Sequence, residues 1–310
     1  MTLLRDPLDG VGNTGIVPLR TVGRDLGVRI LLKLESENPT GSMKDRMALA
    51  MIEEAEADGR LRPGQPVVEY TGGSTGVSLA FVCAVKRHPI RIVTSDAFSR
   101  EKLDHMVALG AELDVMPSGG GRMTAQLTRA MVERARIVTD ETGAYWTDQL
   151  QNHDQLGAYH RMAEEIWSQT GGAVDAWVQS VGTSGSLRGV AEGLVERSGG
   201  LRVVAVEPAE SAVLSGGPSG AHKIDGVGAG FVVALWRGDL VHDIERVSTE
   251  EALTMALRLG REEGLFGGTS TGANVVAALR VAETLPRGAT VVTVLCDTGM
   301  KYLSNPAFQR

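Results

Sequence analysis

The segment from Glu35 to Arg46, ESENPTGSMKDR, places one lysine where its charge is disfavoured. Asn38, Pro39, Thr40 and Gly41 form a cluster of turn residues after the apolar run Ile30, Leu31, Leu32, Lys33, Leu34. Ser42 with Asp45 three residues on, ahead of the run from Met47 to Ile52, has the form of a capping box that opens a helix. Lys44 then falls in the first helical turn, where the positive end of the macrodipole and partial burial both favour the neutral amine. A neutral lysine amine attacks carbonyl carbon and forms a Schiff base. The plain alternative is a surface lysine on an amphipathic helix. The turn argument alone does not overturn it.

Small-residue loops recur further along. Gly182, Thr183, Ser184, Gly185 and Ser186 stand between a strand and a helix, where free N–H groups at a helix N-terminus make a phosphate cradle. A tight turn without a ligand is the alternative there. No GxxxxGK[ST] is present, so a nucleotide-triphosphate loop is unsupported. GVGAG, from Gly226 to Gly230, follows the polar stretch His222, Lys223, Ile224, Asp225 and not a first strand, which weakens a dinucleotide-fold reading. Two segments match G-x-S-x-G, with Ser74 and Ser270 at their centres, which raises a serine hydrolase as a rival. No histidine follows Ser270, and Ser74 has only an arbitrary pairing of Asp225 with His242.

The elements that would position these residues alternate strand and helix. Strands read over 29–35, 66–70, 91–94, 112–116, 176–181, 202–207 and 290–295. Helices read from the lysine loop to Asp58 and over 77–86, 99–109, 124–136, 159–169, 249–263 and from Gly268 to about Leu285. A glycine loop, Gly119, Gly120, Gly121, separates the fifth element pair. Such alternation predicts parallel strands with crossover helices, and 310 residues allow two interleaved α/β domains around a cleft. A net charge of −7 excludes a nucleic-acid partner of the usual basic kind. No apolar run is long enough to cross a bilayer. The first ten residues lack the apolar core of a signal peptide, and Cys83 and Cys296 suit buried thiols in a reducing compartment, so a cytoplasmic protein is expected. Zinc-ligand spacing is absent, and no metal is expected.

Taken together, the motifs resemble the cysteine synthase and cystathionine β-synthase family, fold type II pyridoxal phosphate enzymes that include threonine dehydratase and the tryptophan synthase β chain. The likeness runs from about Gly12 to Ser304. NPTGSMKDR is similar to the family's lysine motif, TGGSTG to its substrate-carboxylate loop (usually TSGNTG), VGTSGS to its phosphate loop, and GGTSTGA to the segment whose first serine meets the pyridine nitrogen. EPAESAVLSGG and HKIDGVGAGF are close to the family's wording as well.

The resemblance implies a tryptophan synthase β-like fold, with a small domain over 36–145 and a large cofactor-binding domain over 1–35 and 146–310. It implies pyridoxal 5'-phosphate carried on Lys44, which also serves as base at the substrate α-carbon. Gly182, Thr183, Ser184, Gly185 and Ser186 would hold the cofactor phosphate, Ser270 the ring nitrogen, and Ser74 the phenolic oxygen. Thr71, Gly72, Gly73, Ser74, Thr75 and Gln149 would clamp the substrate carboxylate. The implied reaction is β-replacement on an O-activated serine such as O-acetylserine, through an aminoacrylate, with a small nucleophile such as sulfide. Another nucleophile, β-elimination of the ammonia-lyase kind, and a non-catalytic binding member are the alternatives. A homodimer is implied, as is one further partner, the C-terminal peptide of serine acetyltransferase in the cleft. O-phosphoserine as donor would need another cation there, with Arg188 and Arg100 as the candidates.

Several positions depart from the family. Gly72 and Ser74 replace its serine and asparagine, and that asparagine bonds the cofactor's phenolic oxygen. Thr94 to Ser99 replaces an MPE-type wording, and the early GNTP motif reads GNTGIVP. Asp297 stands where small hydroxyl residues are common. It is read as a turn or helix-start residue, with an approach to the ring-nitrogen side of the cofactor as the alternative.

Overall fold

The computed structural model describes residues 4–120 and 124–309, so Gly121 of the glycine loop lies outside the described residues. After β1 (Ile16–Pro18) and β2 (Arg29–Leu34) comes α1 (Lys44–Asp58). The chain then alternates β3 (Val67–Tyr70), α2 (Ser74–Lys86), β4 (Ile90–Ser95), α3 (Arg100–Ala108), β5 (Glu112–Met116), α4 (Ala125–Thr142) and the two-residue β6 (Tyr145–Trp146). The second half runs α5 (Gln155–Thr170), β7 (Ala176–Ser180), α6 (Gly185–Val195), β8 (Arg202–Pro208), β9 (Asp243–Val247), α7 (Thr249–Arg258), α8 (Thr269–Glu283) and β10 (Thr290–Leu295).

Two sheets result, a six-stranded one in the order β1-β2-β10-β7-β8-β9 and a four-stranded one in the order β5-β4-β3-β6. Every pairing is parallel except that of β1 with β2. The chain starts in the larger sheet, leaves to build the smaller one and returns, which interleaves the two. Helices cover both faces, so β7 and β10 are buried along their whole lengths, including the polar Gln179, Ser180, Thr290 and Thr293.

A buried ionic cluster ties the lysine helix to its surroundings. Arg46 on α1 meets Glu35 at 2.7 Å and Glu165 on α5 at 2.7 Å, and Lys33 on β2 meets Glu165 at 2.6 Å. Burial pushes the Glu165 carboxyl up, but the bonds from Arg46 and Lys33 win and hold it at about 2.

The structure departs from the sequence reading in local ways. The expected capping box does not form: Ser42 Oγ accepts from Lys44 N at 3.2 Å, while Asp45 turns back to take Thr40 N at 2.7 Å and the Thr40 hydroxyl at 2.5 Å. The helix expected over 249–263 stays α-helical to Arg258 and widens to a π-turn over Leu259–Glu263. Strands β1, β6 and β9 escape sequence reading because they are short or carry charged, alternating edge residues.

Candidate active site

Lys44 opens α1, as its position after the turn predicts. The preceding loop is laced to the segment that follows β10: Met43 N donates to the Cys296 carbonyl at 2.9 Å, and Thr298 N to the Gly41 carbonyl at 2.9 Å. Gly41 takes a left-handed φ of 74°, and a side chain there would strike Thr298. The Lys44 side chain keeps some exposed surface because it faces a cavity, yet protein surrounds it. Burial lowers its pKa, and Cys296 and Asp297 oppose that fall.

The cavity has a volume of about 470 Å³. It gathers Thr71, Gly72, Gly73, Ser74 and Thr75 on one side, Gly182, Thr183 and Ser186 on another, and also Gln149 and Ser270. Ser184 and Gly185 belong to the same loop but do not line it. Residues 226–230, the GVGAG stretch, form backbone wall and open no helix.

The 71–75 loop runs from β3 into α2, whose N-terminus no side chain caps. Its Ser74 and Thr75 N–H groups are therefore available to an anion, while Gly76 N donates to the Gly73 carbonyl at 3.1 Å. Behind the loop, the Thr75 hydroxyl donates to Gln149 Oε1 at 2.8 Å, and Gln149 Nε2 donates to the Tyr70 carbonyl at 3.0 Å. Glu69 fixes Gln149 in turn, accepting from Gln149 N at 3.0 Å and from the Thr147 hydroxyl at 2.5 Å. Burial lifts the Glu69 carboxyl to about 7 against those bonds.

The 182–186 loop enters α6, again without a side-chain cap. Gly182 packs so closely on the Gly226 carbonyl that a side chain would not fit. Gln155 Oε1 takes the Thr183 hydroxyl at 2.8 Å, and Gln179 Nε2 donates to Ser186 Oγ at 2.8 Å. Ser184 holds φ 69°, and its buried hydroxyl has no partner among the described residues. Ser270, the second residue of α8, lies next to Cys296, whose thiol burial pushes up to about 11 while Ser270 draws it down.

Asp297 stands just before the N-cap Thr298 of a short helix over Gly299–Tyr302, and it has a further role at the cavity. It is 5% exposed, lines the cavity, and accepts from the Ser74 hydroxyl at 3.0 Å and from the Tyr302 hydroxyl at 2.7 Å. It thus serves the 71–75 loop. Ser74 has Asp297 and Lys301 as side-chain partners and no histidine, while His242 takes Val203 N at 3.1 Å. No hydrolase triad is assembled. Arg188 and Arg100 are also placed elsewhere, paired with Glu192 and Asp104 outside the cavity. The lysines that line the cavity are Lys44, Lys102 and Lys223, and of these Lys102 is the most deeply buried. Its signal in the sequence is that it shares a helix face with the fully buried Met106, one turn on.

Residues 7–297 match the family of pyridoxal-phosphate dependent enzymes. The chain belongs to that family. It is 36% identical to the cysteine synthase of Staphylococcus aureus strain Mu50 over 312 residues, covering 99% of each chain. The cysteine synthase of Entamoeba histolytica superposes with a TM-score of 0.93 at 36% identity, over 100% of this chain and 92% of that one. An O-ureido-L-serine synthase superposes with a TM-score of 0.92 at 33% identity, over 99% and 96%. This pyridoxal phosphate enzyme therefore has the type II fold. The residues present suit the cofactor: the uncapped α6 N-terminus, with Gly182, Thr183 and Ser186 at the cavity, offers donors to a phosphate, and a lysine biased toward its neutral form stands at the same cavity.

Proposed function

We propose that this chain catalyses β-replacement on an O-activated L-serine, with O-acetylserine as donor and sulfide as nucleophile, in the manner of a cysteine synthase. One arrangement carries the reading: Lys44 faces a cavity flanked by two uncapped helix N-termini, α2 for the substrate carboxylate and α6 for the cofactor phosphate. Pyridoxal phosphate supplies the electron sink when bound. Lys44 carries the cofactor and moves the proton at the substrate α-carbon. Thr71, Gly72, Gly73, Ser74, Thr75 and Gln149 orient the carboxylate. Ser270, which lines the cavity, would offer the ring nitrogen a neutral hydroxyl, which would favour prompt loss of the β-substituent.

A nucleophile other than sulfide is the second reading, favoured by the Ser74–Asp297 contact. A carboxylate beside the clamp is a proton acceptor that an amine needs on attack and hydrosulfide does not. We further propose a small domain over 36–145 and a large one over 1–35 and 146–310, supported by the partition of strands between the two sheets. A homodimeric cytoplasmic enzyme, with the serine acetyltransferase peptide as an occupant of the same cleft, rests on the family resemblance.

The test is the visible spectrum of the protein with pyridoxal phosphate, before and after O-acetylserine, with Lys44→Ala alongside. A Lys44-dependent band that shifts on donor addition, and cysteine on adding sulfide, are expected. The absence of any band overturns the enzyme reading.

A further inference from the structure

Lys102 is an ammonium without an anion. It is 3% exposed, lines the cavity, and holds its Nζ 4.2 Å from the centre of the Tyr302 ring. Among the described residues it forms no ion pair and donates no side-chain hydrogen bond, its one contact being the Tyr302 ring. A ring face is only a partial partner, and a buried cation left so is unfavourable. The surrounding charge sharpens the case. Lys44 and Lys301 both lie within electrostatic reach of Lys102 and are destabilised by it. The first turn of α3, where Lys102 sits, adds its own positive end. The nearby carboxylates are turned to other partners: Asp45 takes Thr40, and Asp297 takes the Ser74 and Tyr302 hydroxyls on Oδ2, while its buried Oδ1 has no partner among the described residues and forms no ion pair with Lys102.

We propose that Lys102 anchors a second oxyanion subsite in the cleft, beside the 71–75 clamp, for a phosphate or carboxylate group carried by the donor or by the nucleophile. The subsite rests on the β-replacement reading and deepens it by naming the charge of the group exchanged at the β-carbon. With a phosphorylated donor the Cβ–O bond breaks and its electron pair leaves on phosphate. The nucleophile's pair makes the new bond to Cβ, and no oxidant or reductant is needed. With an acidic nucleophile, the same ammonium holds the carboxylate while its other end attacks.

The experiment uses the pyridoxal phosphate-loaded protein, so that the α6 cradle is filled. Inorganic phosphate is titrated by calorimetry into wild type, Lys102→Gln, Lys102→Arg and the exposed control Arg100→Gln. The ratio of kcat/KM for O-phosphoserine over O-acetylserine is measured in parallel, with sulfide and with an acidic amine, L-aspartate, as nucleophiles. Phosphate affinity should fall about tenfold or more in Lys102→Gln, persist in Lys102→Arg and be unmoved in Arg100→Gln. A fall in the donor ratio assigns the subsite to the leaving group, and a rise in KM for aspartate alone assigns it to the nucleophile. Melting separates a ligand site from a structural role, since removing an unpaired buried cation should raise the melting temperature of the phosphate-free protein. Equal phosphate affinity in wild type and Lys102→Gln, with the Lys44-dependent band intact, overturns the subsite alone. Loss of that band from wild type overturns the function on which it rests.

Discussion

The Ser74 hydroxyl donates to Asp297 Oδ2 at 3.0 Å, joining the substrate loop to the segment that follows the last strand. The same carboxylate raises the pKa of Lys44 against the fall that burial imposes. Removing its charge should therefore lower the lysine's pKa further. The amine must be neutral to attack a carbonyl, so Asp297→Asn should move the pH dependence of cofactor uptake toward lower pH. Stopped-flow incorporation of pyridoxal phosphate as a function of pH measures it. A shift toward higher pH would contradict the electrostatic role given to Asp297.

Arg46 is 3% exposed and shared between Glu35 and Glu165. Arg46→Ala leaves two carboxylates buried without it, and breaking a buried pair from one side costs about 3–5 kcal/mol. Because Arg46 lies on α1 two residues after Lys44, the loss should also loosen the lysine's seat. Denaturant unfolding at neutral pH reads the stability term. A cost under about 1 kcal/mol, the value of an exposed pair, would mean that the cluster is solvated.

How much of this was legible beforehand depends on the range of the interactions. Strands β5 and β10 have the bounds their apolar runs predict, and Lys44 opens its helix where the turn residues predict. These are local effects. Asp297 does stand just before the N-cap Thr298 of a short helix, as its turn-type position predicts, but its contact with Ser74 spans 223 positions, a separation that no spacing rule reaches. Lys102 is hard to single out in the sequence because charge on a helix is expected outside, although its register with Met106 puts it on the buried face. The capping box failed for a related reason: Asp45 is drawn to Thr40 in the preceding turn.

Glu69 gives the fold a pH dependence whose sign is fixed. Its folded pKa of about 7 stands above the ordinary carboxyl value of 4.5, so the folded state binds the proton more tightly. Its contribution to stability is full below pH 4.5 and is lost as pH rises through 7. Glu69→Gln removes the titration. The stability of wild type minus that of the variant should fall by roughly 3 kcal/mol across this window. Unfolding curves at intervals of pH measure it, and a difference that rises with pH would show that the donors from Thr147, Gln149 and Tyr70 outweigh burial.

Gly72 and Phe98 divide one space between them. A Cβ on Gly72 would fall inside the Phe98 ring, so a serine at 72, as in the related TSGNTG loop, is incompatible with this ring position. Phe98 lines the cavity, and a displaced ring must move within the cleft or out of it. Gly72→Ser alone should therefore destabilise the protein by about 1–3 kcal/mol, the usual cost of overpacking. It should also raise KM for the donor, because the clamp loop shifts with it. In Phe98→Ala the added serine finds room, so the double variant should recover most of that cost. A double-mutant cycle should give a coupling of about 1 kcal/mol or more, as for residues in direct contact. Additive effects would mean that the ring yields freely and that the two positions are independent. A coupling confined to KM, with stability additive, would place the conflict in the loaded cleft and not in the folded core.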